Sequence, residues 1–196
     1  MGTSRAYPVF RTTDAAEAYR RAGRLCALLE QVEDKVWLFA ELPTVRDVRR
    51  IAAIAPGPPF DYAGTRTGPT TGDHLWFDLD VTALDDAAPA GHLPLTFSEE
   101  VGRERVEDGI LAALGEGMAS VEWHGCRPDD PEADSDGHPK YDGVHVVFHG
   151  DEAQYGHWTE EHTVFVHVTK FGDPPRARKL AAHIGGEVLG EAQLGW

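Results

Sequence analysis

Cysteine is nearly absent from this 196-residue chain, which has only Cys26 and Cys126, a hundred positions apart. Two so widely separated thiols make no disulfide framework, and they fit a reducing compartment. Long apolar runs are missing too. No stretch approaches the roughly 18 residues that would span a bilayer, and the N-terminal MGTSRAYPVFRTTDAAEAYRR has no signal-peptide segment. The expected location is the cytoplasm, with no membrane partner. Phosphate-cradling and nucleophile motifs are also lacking: no G-x-x-x-x-G-K-[ST], no G-x-G-x-x-G after a strand, no G-x-S-x-G and no CxxC occurs. The common nucleotide-binding and hydrolase signatures are therefore excluded, and no cofactor is called for.

Positive charge is the other shortage. Lys and Arg number 18 against 33 Asp and Glu, for a formal charge of −15. The imbalance is uneven: residues 1–50 carry nine basic and seven acidic groups, whereas 51–196 carry nine basic and twenty-six acidic. A surface of that sign repels phosphate backbones, which argues against nucleic acid as a partner, and it accelerates encounter with a basic protein. Arginine outnumbers lysine fourteen to four, a bias that matches a GC-rich bacterial genome.

What remains is ordinary for a folded chain. Hydrophobic residues make up 41% and charged residues 26%, enough apolar surface for a packed core in a single domain. Thr13 and Asp14 open a helical period over 13–33, and KVWLFAEL (35–42) is a strand bounded by Pro43. Thr44 caps a helix through Ala55 that Pro56-Gly57 ends. Residues 56–73, dense in Pro, Gly and Thr, are loop, and HLWFDLDV (74–81) alternates as a strand. Ser98, followed by Glu99 and Glu100, starts a helix to about Leu114. Strands are expected at 118–125, 143–150 and 162–171. A helix then runs from Asp173-Pro174-Pro175 to Ile184, and a closing strand lies in EVLGEAQLGW. The fold class is α+β: a mixed or mostly antiparallel sheet with about four helices packed on it. A weak repeat, VWLFAEL then RRIAAIAPG against VFVHVTKF then RKLAAHIGG, suggests two βα-containing pseudo-repeat halves, 1–90 and 91–196.

Three clusters have chemical potential. On paired strands with their valines inward, His145, His149 and His167 share the opposite face, where three imidazoles can bind zinc or another transition metal. The spacing matches no named metal motif, and a half-exposed sheet face on which histidine is simply tolerated is the plainer account. In the acidic stretch 126–143, Glu132, Asp134 and Asp136 precede Gly137 like a fragment of a calcium loop. Position 12 of that register is Gly143, not the bidentate glutamate. Cys126 follows Glu122 and His124, but an acidic neighbourhood does not favour a thiolate nucleophile.

The acidic groups Asp78, Asp80, Asp129, Asp130, Asp134 and Asp136, with Trp76 and Trp158 as aromatic anchors, form the patch expected to meet a basic protein. In composition alone the chain resembles the immunity proteins that block toxic nucleases by covering a basic active site. The expected function is thus an acidic cytoplasmic binding protein of immunity or inhibitor type. A histidine-based metal-dependent enzyme or metal-binding protein is the alternative.

Overall fold

The valine-rich runs at 143–148 and 162–168 set the centre of the fold, because both are buried along their whole length. The computed structural model describes residues 4–30, 32–55, 60–62, 76–77, 87–154 and 156–196. They divide into two compact units, Met1–Val36 with Ser120–Trp196, and Trp37–Ala119. That partition differs from halves at 1–90 and 91–196. The two βα segments behind the repeat are each a strand leading into a helix, one in each unit.

The first unit contains β1 (Arg5–Thr12), α1 (Ala15–Cys26), β6 (Ala119–His124), β7 (Gly143–Phe148), β8 (His162–Val168), α5 (Pro174–His183) and β9 (Gln193–Leu194). Its strands lie in the order β6-β7-β8-β1-β9, with β7 and β8, β8 and β1, and β1 and β9 paired antiparallel. Side chains alternate across a strand, so Val144, Val146 and Phe148 face one way and His145 and Val147 the other. α1 covers the valine face: its buried stripe is Ala18, Ala22, Leu25 and Cys26, and Tyr19 lies against Trp123 and Phe148 at 5.9 and 6.4 Å. Asp14 caps α1 by accepting from Ala16 and Glu17 N–H, and Asp173 caps α5 by accepting from Arg176 N–H. The opposite face is covered as well, because Ala6, Val147, Ala153 and Phe165 close into one apolar cluster and Trp196 stacks on His167. A sheet covered on both sides explains the complete burial of β7 and β8.

The second unit contains β2 (Lys35–Leu42), α2 (Val45–Ile54), β3 (Phe60–Tyr62), β4 (Trp76–Phe77), α3 (Ala87–Ala90), β5 (Leu95–Gly102) and α4 (Arg103–Ala113), with strand order β4-β3-β5-β2. Thr44 and Asp47 form a capping box at α2, each side chain satisfying the other's backbone N–H. Here the structure corrects the helix read from Ser98. Ser98, Glu99 and Glu100 lie in β5, and the helix begins only at Arg103. Leu95 and Phe97 are buried, Phe97 pairs with Phe60 across β3, and the two rings pack at 5.5 Å. Cross-strand burial has outweighed a local cap signal. The closing strand is also shorter than expected, since only Gln193 and Leu194 pair with β1.

Candidate functional site

The eighteen residues from Gly125 to Asp142 join β6 to β7 and carry the acidic run. An acidic chain segment in water has little reason to hold one shape unless buried groups fasten it, and here Arg127, Ser135 and Asp142 turn inward. Arg127 and Asp142, 2% and 1% exposed, pair with one another at 3.4 Å. The Arg127 guanidinium also donates to the carbonyls of His167 and Gly143, at 2.7 and 2.6 Å. Burial lowers the pKa of Arg127 to about 10, with Asp142 opposing the shift. Asp142 in turn accepts from the N–H groups of Arg127 and His138, at 3.0 and 2.9 Å, which ties the two ends of the loop together. The third fastener comes from α5. Arg176, also buried, donates to the Ser135 carbonyl and hydroxyl and to the Pro128 carbonyl.

With the backbone held in this way, Asp129, Glu132, Asp134 and Asp136 stand exposed. Asp134 sits in the left-handed region at φ 50, which aspartate tolerates better than most residues. Asp130 is committed to an intramolecular ion pair. Its carboxylate takes Lys179 Nζ at 2.8 and 3.0 Å together with the Glu132 and Ala133 N–H groups, and the lysine hydrogen bond leads in holding its carboxyl below the ordinary range. Asp78 and Asp80 lie outside the described residues. Trp76 is placed by its backbone in β4, opposite Asp61 of β3. Trp158 is 52% exposed and stacks on His149 with ring centroids 5.4 Å apart.

The three histidines expected to converge do not all meet. His145 and His167 do share a face, at diagonal positions of β7 and β8, with centroids 5.7 Å apart. His149 is elsewhere, because β7 stops at Phe148 and the chain turns at His149 with φ 58. The His149 ring lies between Trp158 and His162, and the His149 backbone N–H donates to His162 Nδ1 at 3.0 Å. The face is not half-exposed either, since His145 and His167 are each 1% exposed. Among the described residues, no group of three or more His, Cys, Asp or Glu side chains is placed to hold a metal ion.

Around the two buried imidazoles is a cluster that no local pattern announced. Trp196 stacks on His167 at 3.5 Å and on His124 at 4.1 Å. It can lie there because Gly143 has no side chain: a Cβ at that position would run into the indole. Ser4 Oγ meets His167 Nδ1 at 2.8 Å, and Glu122 comes within 3.8 Å of His145 Nε2. Both nitrogens of His145, Nε2 of His167, Nε1 of Trp196 and Nε of Arg127 are buried without a hydrogen-bond partner among the described residues. Desolvation lowers the pKa of both histidines, with Glu122 opposing it at His145 and the neighbouring His145 adding to it at His167.

Cys126 is a poor nucleophile in this setting. Burial, then Asp142, Glu30 and Asp129, raise its pKa, and its Sγ lies 3.5 Å from the Arg127 carbonyl. The calcium register fares no better, because Glu132 is engaged by Lys179 at 2.9 Å and Gly143 is built into β7.

No known protein family, no curated protein and no solved structure matches this chain. The residues that matter most for the loop, Arg127, Asp142 and Arg176, carry no sequence signal of their role. The partners of the two guanidinium groups lie 15 to 48 positions away, beyond the reach of any local spacing rule.

Proposed function

We propose that this chain is an acidic cytoplasmic binding protein that recognises a basic protein partner through the 126–142 loop, in the manner of an immunity or inhibitor protein. The observation that carries the reading is the fastening of that loop. Buried Arg127, Asp142 and Arg176 hold the backbone while Asp129, Glu132, Asp134 and Asp136 face solvent. A charged surface that is already ordered loses little conformational entropy on association, so more of its interaction energy appears as affinity. The net charge of −15 supports the same reading, since it steers a cationic partner from a distance. Trp158, half exposed and stiffened by its stack on His149, is an aromatic anchor of the kind found at the centres of interfaces. The hundred-position spacing of Cys26 and Cys126 agrees with a reducing location.

The test is a low-salt capture from lysate with the intact chain and with the Asp129→Asn, Glu132→Gln, Asp134→Asn, Asp136→Asn variant. Basic proteins retained by the native chain, released by salt and lost by the variant are the expected result. Equal recovery by the two proteins refutes the proposal. The association rate constant with a captured partner should fall steeply with ionic strength while dissociation changes little.

A further inference from the structure

Beside the acidic loop, and independent of the reading just given, is a cleft of about 350 Å³ between the turn that follows α1, the start of the loop and α5. Its apolar walls are Leu28, Pro128 and Leu180, and the charged groups on it are Arg127, Arg176, Lys179, Asp129 and Asp130, with His183 at the end of α5. In a chain with so few cations, three lysine or arginine side chains on one cleft call for an account of their counter-charges. Asp142 is the partner of Arg127. Asp130 and Glu132 are the partners of Lys179. Arg176 has none: it is 4% exposed, its three side-chain hydrogen bonds go to neutral oxygens of Ser135 and Pro128, and among the described residues no carboxylate forms an ion pair with it. Asp129, the remaining acid of the cleft, is exposed and accepts from Gly137 N–H.

A guanidinium withdrawn from water with only neutral acceptors has lost much of its hydration without gaining an opposite charge, and an anion that reaches it gains a strong, geometrically specific partner. Arg127 adds to the shortage, since its buried Nε has no hydrogen-bond partner among the described residues and its carboxylate partner also serves two backbone N–H groups. The apolar walls add a demand on the rest of the ligand. We propose that this cleft binds a small organic carboxylate with an apolar body, the carboxylate meeting Arg176 and the body lying against Leu28, Pro128 and Leu180. The size suits such a molecule, being at the small end of ligand pockets. Long-range repulsion from a molecule of charge −15 works against any anion, so the ligand is held by contact and not by steering.

The test is titration of the full chain by calorimetry and by amide NMR with three probes: hexanoate, hexanol and inorganic phosphate. Saturable hexanoate binding, with shifts at residues 127–130 and 176–183, and at least about tenfold weaker binding of hexanol and phosphate, is expected. Arg176→Gln should weaken hexanoate at least about tenfold while leaving the far-ultraviolet circular dichroism unchanged. Leu28→Trp, which fills the cleft from a partly exposed position and leaves Arg176 intact, should abolish binding and serves where Arg176→Gln does not fold. The proposal is overturned if hexanoate does not saturate by about 10 mM, if hexanol binds equally well, or if Leu28→Trp leaves binding unchanged. Phosphate binding more tightly than hexanoate overturns the carboxylate assignment.

Discussion

At the scale of single residues, the groups with most at stake are buried and polar. Asp142 neutralises Arg127 and receives two backbone N–H groups while only 1% exposed. Asp142→Asn should cost about 3–5 kcal/mol in urea denaturation, because it leaves a guanidinium buried without its counter-charge. His145 and His167 set the response to acid. Burial lowers both folded pKa values below the ordinary 6.5, and that of His162 moves in the same direction. Below about pH 6.5 the unfolded chain takes up protons that the folded chain refuses, so stability is full above that pH and falls as pH drops through it. Thermal melts between pH 8 and 5 should fall accordingly, by up to about 1.4 kcal/mol per pH unit for each such histidine. The His145→Gln, His167→Gln variant should flatten the profile. A native profile that is already flat would mean that these imidazoles take up protons without leaving their places.

At the scale of elements, the parts legible in the sequence are those decided by neighbours a few positions away. Thr13-Asp14, Thr44 and Asp173 each announce a helix through a side chain that reaches an N–H two or three residues on, and all three regions begin helices in the structure. The valine alternation of 143–148 and 162–168 likewise gives two strands with His145 and His167 on one face. Where a distant strand decides the outcome, the local reading fails. Ser98-Glu99-Glu100 has the composition of a helix start, yet Phe60 on β3 draws Phe97 and its neighbours into β5. The histidine set loses His149 for a similar reason: its backbone turns out of the strand at φ 58, which no parity argument anticipates. The 193–196 segment shows the same dependence, because Trp196 finds its place through the missing side chain of Gly143, fifty-three positions earlier. Gly143→Ala should unseat the indole, shift tryptophan emission to the red and destabilise the chain by about 1–3 kcal/mol. An unchanged emission spectrum would show that the indole is not held by that gap.

At the scale of the whole molecule, a charge of −15 acts on stability as well as on encounter. Self-repulsion favours expansion of the chain, and salt screens it. Raising NaCl from about 20 to 500 mM should therefore add about 1 kcal/mol, read as about 2–4 °C in Tm. A fall instead would indicate that ion pairs such as those of Lys179 outweigh the repulsion. No helix among the described residues is long and apolar enough to cross a membrane. The nesting of the two units also has a consequence for synthesis. Trp37–Ala119 is one continuous stretch, while the unit around it needs residues from both sides of that stretch. β1 waits for β8, whose pairing of Arg5 with Val168 spans about 160 residues. At about 5–20 residues per second, roughly 8–30 s separate the emergence of the two strands from the ribosome. During that interval the inner unit can fold, while the first strand leaves the tunnel with both edges bare. The nascent chain is then most open to aggregation at Arg5–Thr12, the strand that in the finished protein lies between β8 and β9.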